Sequence, residues 1–146
     1  MSKYPNFELA EFLRSATATS YGLDNTPTFE VVSHLDELVR DLLQPLRTAY
    51  GQAIRVTSGY RCQQLNRIVG GSRTSAHLTG YAADLQPMSR TVDHLISFTK
   101  KWLQDNDVPF DQFIEETGDN GARWLHLAIR NQDGEQRRQF IKSISL

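Results

Sequence analysis

The residues of this chain that can do chemistry gather in three stretches. One runs Ser75-Ala76-His77-Leu78-Thr79-Gly80-Tyr81-Ala82-Ala83-Asp84 and sets an imidazole and a carboxylate seven residues apart. Upstream, Ser58-Gly59-Tyr60-Arg61 ends in a guanidinium; far downstream, Trp124-Leu125-His126 adds a second imidazole. A catalytic zinc needs three protein ligands and an open position for water. His77, Asp84 and His126 offer nitrogen, oxygen and nitrogen. Taken alone, two histidines and an aspartate prove nothing, because unrelated structural roles account for them as well. The single cysteine, Cys62, excludes an intramolecular disulfide and a cysteine-built metal site. Any metal must therefore be held by His, Asp and Glu. Cys62 itself, with no Cys-His motif beside it, reads as a packed thiol.

The elements that must position these groups follow from periodicity. Phe7, Leu9, Phe12 and Leu13 fit one face of a short first helix, with Asn6 as its N-cap. Ser15 to Thr28 is rich in Ser, Thr, Ala, Asn and Pro and is expected to be extended or irregular. A long helix spans 31–50, with Val31, Leu35, Leu38, Val39, Leu42, Leu43 and Leu46 at helical spacing. Ser33 ahead of Asp36 and Glu37 suits its start, and Pro45 kinks or shortens its last turn. His34 reads as a surface or capping residue. Ala53 to Ser58 alternates as a strand does, with Ile54 and Val56 against Arg55 and Thr57. A short helix with Leu65 and Ile68 follows and is broken by Val69-Gly70-Gly71-Ser72. No Gly-Lys-Ser/Thr succeeds it, so this is not a phosphate loop. Tyr81 to Leu85 reads as a strand ended by Pro87, and Arg90 to Asn106 as a second long helix with His94 on its surface. Phe110 to Glu116 and Arg123 to Arg130 form a hairpin across a turn-rich segment. Arg137 to Ile144, with Phe140 and Ile144, adds an edge strand.

Composition bounds the rest. A chain of 146 residues suffices for one domain, 1–146, with its own core. A net charge of -1 and a pI near 6.4 leave no basic footprint for nucleic acid. No apolar run approaches the ~20 residues of a membrane span. Met1-Ser2-Lys3-Tyr4-Pro5-Asn6 lacks the basic start and apolar core of a signal peptide. The expectation is a monomer made in the cytoplasm, with no nucleic-acid or membrane partner.

Taken jointly, Ser58-Gly59-Tyr60-Arg61, Ser75-x-His77-x-x-Gly80-x-Ala82-x-Asp84 and Trp124-x-His126 resemble the zinc D-alanyl-D-alanine carboxypeptidase family. That family includes bacterial carboxypeptidases and phage endolysins that cut peptidoglycan peptides. The likeness takes in Leu65-Asn66, Val69-Gly70-Gly71-Ser72 and Asp111-Gln112-Phe113-Ile114. Phe7-x-Leu9-x-Glu11-Phe12-x-x-Ser15 and Asp24-Asn25-x-Pro27 look like the start of its small single-domain members, so it runs through about Arg130. The resemblance implies an α+β fold of the hedgehog/DD-peptidase kind: a small antiparallel sheet carrying a zinc site, with packed helices. It implies Zn2+ held by His77, Asp84 and His126, and peptidoglycan stem peptides as substrate, cut at a terminal D-Ala or at an internal bond. Arg61 matches the residue that holds a substrate carboxylate or polarises the scissile carbonyl, for which a planar fork is suited. The competing reading of Arg61 is a structural ion pair. Ser75 is implied to make a supporting or substrate hydrogen bond, and Trp124 to wall the pocket or orient a ligand. Without a leader, a phage lysis enzyme brought to the wall by other proteins fits this pattern, and so does a bacterial cytoplasmic enzyme.

The general base is the point of departure. Many members carry a Glu three residues before the last His, where this chain has Arg123. Glu115 and Glu116 remain, and Glu116 matches the acidic position of the small relatives better. If the hairpin pairs Glu116 with Trp124 or His126, Glu116 shares the His126 face and Glu115 points away. A slip of one residue exchanges them. The implied mechanism is metal-assisted hydrolysis: zinc lowers the pKa of its water to roughly 7, and Glu116 relays the water proton to the leaving amine. Zinc and Arg61 would then stabilise the oxyanion. Arg123 motivates a second reading, a catalytically inactive zinc-containing module that binds peptidoglycan without cutting it.

Overall fold

The structure, a computed structural model, describes residues 3–144. Met1 and Ser2, part of the stretch read for a leader, and the Ile144 side chain lie outside the described residues.

Helix α1 (Leu9–Leu13) starts at Glu8, whose backbone N–H donates to Glu11 Oε1 at 2.9 Å. Asn6 is not the cap. It is tied instead to Gln44, whose Nε2 donates to Asn6 Oδ1 at 2.8 Å. The stretch expected to be irregular contains helix α2 (Ala16–Ser20), started by Ser15 Oγ accepting from the Ala18 N–H at 3.1 Å. Helix α3 (Phe29–Leu38) begins earlier than Ser33, with Thr28 Oγ1 as its cap. It runs through a widened π-helical turn (Val39–Leu43) into α4 (Gln44–Tyr50). The wider turn lies just ahead of Pro45, where an ordinary helix would set the proline ring against the carbonyl four residues back. Gly51, at φ +71°, ends the run.

Strand β1 (Ile54–Ser58) leads through a turn to α5 (Gln63–Ile68), then to β2 (Ala82–Pro87) and α6 (Val92–Asp105). Strands β3 (Gln112–Thr117), β4 (Arg123–Ala128) and β5 (Gln139–Ile144) complete the chain. The five strands form one sheet in the order β1-β2-β4-β3-β5. The architecture is α+β as expected, but the sheet is mixed rather than antiparallel. β5 runs parallel to β3, because the chain leaves β4, crosses the start of β3 and re-enters on its far side. Arg138 N–H to Phe110 O (3.1 Å) and Gln139 N–H to Asp111 O (2.8 Å) hold that crossing in place.

Alternation gives the sheet two chemically different faces. Ala83, Leu85, Phe113, Leu125 and Leu127 face the core with Leu35, Leu38, Leu42, Leu43, Leu46 and Leu95. Each such leucine contributes on the order of 2 kcal/mol through its burial. The other face carries Ala82 and Asp84, Gln112, Ile114 and Glu116, and Trp124, His126 and Ala128. There Ala76, Ala82 and Ala128 form a small separate cluster. Their small size lets the connection from β1 to β2 lie close on the sheet.

Candidate metal centre

The site is built on that second face. Asp84 and His126 are directly opposed in the β2–β4 register, so their side chains share a face. His77 comes from the overlying connection. Ser75 shapes its turn: Ser75 Oγ accepts from the His77 N–H at 3.2 Å, and Ser75 O from the Leu78 N–H at 3.1 Å. All three side chains are buried, and one ligand atom from each lies within 4.8 Å of the others.

Their hydrogen bonds test whether a metal suits them. His77 Nδ1 is 2.6 Å from the Gly59 carbonyl, an acceptor, so the ring proton sits on Nδ1 and Nε2 carries a lone pair. That Nε2 is 3.1 Å from Asp84 Oδ1, and His126 Nδ1 is 3.1 Å from the same oxygen. Burial pushes the His77 imidazole below its ordinary pKa, with Asp84 opposing, which favours the neutral ring. Burial alone would raise the Asp84 carboxyl, but His77 and His126 beside it outweigh that and hold it well below the usual carboxylate range. His77 Nε2, Asp84 Oδ1 and His126 Nδ1 thus converge in a buried place, a nitrogen, oxygen and nitrogen donor set with one oxygen shared between the two rings. A divalent cation of the zinc type satisfies such a set, and the carbonyl on the far nitrogen is the outer partner that metal-binding histidines use.

Arg61 sits beside the cluster. Its Nη2 donates to Asp84 Oδ2 at 3.4 Å, Nη1 to Asn66 Oδ1 at 3.1 Å and Nε to Ser58 Oγ at 3.2 Å. Burial pushes this guanidinium below its ordinary pKa, with Asp84 and Glu116 opposing. Arg61 is therefore an ion-pair partner of Asp84, and it also lines the cleft above the cluster. That cleft, of about 370 Å³, is bounded by Arg61, Ser75, His77, Glu116, His126 and Arg137 among others.

The hairpin pairs Glu116 with Trp124 and Ile114 with His126. Glu116 accordingly lies on the His126 face and lines the cleft, and the Trp124 indole N–H donates to Glu116 Oε2. Glu115 points to the opposite face, where Arg123 Nη2 lies 3.9 Å from its Oε1. Arg123, an odd number of residues from His126, also faces away and pairs with Asp93 of α6. His34 and His94 stay outside the cluster. His34 Nδ1 meets Thr79 O at 2.7 Å and its ring stacks on Tyr81, while His94 Nδ1 meets the Tyr50 hydroxyl at 2.8 Å.

Two contributors were not singled out from sequence. The Gly59 carbonyl orients His77, and a backbone oxygen leaves no mark in residue type. Buried Asn66 links Arg61 to the glycine loop, accepting from Arg61 and donating to Ser72 O at 2.9 Å. Its signal was the Leu65-Asn66 pair within the family-like pattern.

Comparison with curated proteins returns no match. A model of the peptidase M15 family matches residues 5–113, which include Arg61, His77 and Asp84 and stop short of Glu116, Trp124 and His126. A match over well more than half of its length places the chain in the peptidase M15 family, a family of metallopeptidases.

Proposed function

We propose that this chain is a zinc peptidase that hydrolyses peptide bonds of peptidoglycan stem peptides. The reading rests on one observation: two imidazoles and a carboxylate converge under a cleft that also holds Glu116, in a chain of a metallopeptidase family. His77, Asp84 and His126 would hold the ion. Bound zinc supplies Lewis acidity, which acidifies a water and polarises a carbonyl.

The chain's own groups do the rest. The Gly59 carbonyl keeps the His77 proton on Nδ1 and leaves Nε2 free to ligate. Arg61 holds Asp84 Oδ2 and retains two of its five N–H groups, which suit charge growing on the substrate carbonyl oxygen. Glu116 takes a proton from the attacking water and passes it to the leaving nitrogen as the C–N bond breaks. Trp124 fixes one Glu116 oxygen and leaves the other available for that proton. Ser75 serves by shaping the His77 turn.

The test joins metal content to turnover. Purified protein is expected to carry about one zinc per chain and to cleave peptidoglycan or a D-Ala-D-Ala-ended stem peptide in a chelator-sensitive way. Glu116→Gln is expected to keep the zinc and lose at least ~100-fold in kcat. Zinc without cleavage of either substrate would turn the reading to a binding module, and absence of zinc would overturn the metal site.

A further inference from the structure

The β4–β5 connection contributes one residue to the lining of the cleft, Arg137. Its anchor is Asp111, a carboxylate only 1% exposed at the start of β3. Arg137 Nε donates to Asp111 Oδ1 at 2.8 Å, Nη2 to Oδ2 at 2.9 Å, and the Arg137 backbone N–H to Oδ1 at 3.0 Å. The fork is fixed by this bidentate grip, yet the side chain remains 38% exposed. Two of its five N–H groups go to Asp111, leaving three for a ligand.

The strand register says where this guanidinium stands. On the cleft face, β3 presents Gln112, Ile114 and Glu116 opposite Ala128, His126 and Trp124. At ~3.3 Å per residue, Gln112 and Glu116 lie about 7 Å along the strand from the His126 position, in opposite directions. Asp111 directly precedes Gln112, and Arg137 lines the cleft beside it. The cleft therefore extends to both sides of the metal cluster, with Glu116 at one end and Arg137 at the other. Arg61 is the other guanidinium in this lining, but its side chain is 15% exposed and is engaged with Asp84, Asn66 and Ser58. An acidic peptide entering from solvent meets Arg137 as the accessible cation.

We propose that Arg137 is a specificity-determining residue that receives a carboxylate of the substrate on the side of the cluster away from Glu116. The enzyme then favours an acidic stem peptide over the same peptide with that carboxylate amidated. This rests on the peptidase reading above. A fixed guanidinium meets a carboxylate through two parallel charge-assisted hydrogen bonds and loses little freedom in doing so. Asp111 offsets part of the charge, so the expected preference is about tenfold, the low end for a hydrogen bond to a charged group.

The experiment uses the metal-loaded full chain and pairs of synthetic stem peptides that differ at one acidic position, carboxylate against carboxamide. Wild type is expected to cleave one acid form about tenfold more efficiently than its amide, with the difference mainly in KM. Arg137→Gln should bring the two within about twofold, and Arg137→Lys, which keeps the charge without the fork, should lie between. A merely structural role for Arg137 lowers both members of a pair equally and leaves their ratio unchanged, so an unaltered ratio overturns the proposal. If Arg137→Gln does not fold, Arg137→Lys decides, and an undiminished ratio again overturns it. A wild-type ratio near one for every pair overturns it without any variant. Failure of wild type to cleave any peptide overturns the peptidase reading first, and this inference with it.

Discussion

The indole N–H of Trp124 donates to Glu116, the residue directly opposite it in the hairpin. On the proposed reading Glu116 is the general base, whose carboxylate must be held where the proton leaves, and this bond gives Trp124 a positioning role. Trp124→Phe keeps the ring and removes the donor. Steady-state kinetics should show kcat lowered about tenfold with KM nearly unchanged, the size of one hydrogen bond to a charged acceptor. A second residue-scale expectation concerns Tyr4, whose hydroxyl donates to Asp36 Oδ1 at 2.9 Å. Burial first, then the Asp36 hydrogen bond and charge, push this phenol up to about 12 from 10.0. The folded chain keeps a proton that the unfolded chain gives up, so this contribution is complete below pH 10 and is lost as pH rises towards 12. Urea unfolding across that range should lose stability with pH in wild type and show a flatter alkaline limb in Tyr4→Phe.

At the scale of elements, α1 and the turn after β1 are locked at Gly59. The Tyr60 N–H donates to Phe12 O at 2.7 Å, and a Cβ on Gly59 would stand 2.5 Å from that oxygen. Gly59→Ala must therefore displace either α1 or the turn whose carbonyl orients His77. We expect a stability loss of about 1–3 kcal/mol by chemical denaturation, together with weaker zinc retention. The same contact shows what was legible from the sequence. Leucines at helical spacing marked the long helix, alternation marked β1, and opposed residues share a face, which separated Glu116 from Glu115 once the register was known. Helix α2 escaped because it is one turn long and buries only Ala18, too little to write a period. The parallel entry of β5 escaped because it depends on Asp111 and Arg137, a tertiary ion pair that no local pattern records. The candidate cluster was legible because His77, Asp84 and His126 stand within a joint motif that resembles a known family, since their residue types alone decide nothing; the Gly59 carbonyl, a backbone partner, was not legible.

For the whole molecule, the cluster joins three parts of the chain: the connection bearing His77, β2 with Asp84 and β4 with His126. An ion held there binds the folded state and not the unfolded one. At about a hundred times its dissociation constant it adds roughly 2.7 kcal/mol. Chelation is therefore expected to lower the calorimetric Tm by at least ~5 °C, with restoration on adding zinc. The chelated chain should keep its helical far-ultraviolet signal at low temperature, because the leucine core beneath the sheet owes nothing to the metal.

The strand order adds a matter of timing. β4 occupies the middle of the sheet, yet it is made after β1, β2 and β3. His77 and Asp84 are neighbours along the chain, whereas Asp84 and His126 are 42 residues apart. A nascent chain emerging from the ribosome thus holds two of the three donors long before the third exists, and contacts so distant in sequence close late. Tight capture of the ion waits for the central strand to dock. On the proposed reading, the chain has no complete metal site until β4 has been made and has docked between β2 and β3.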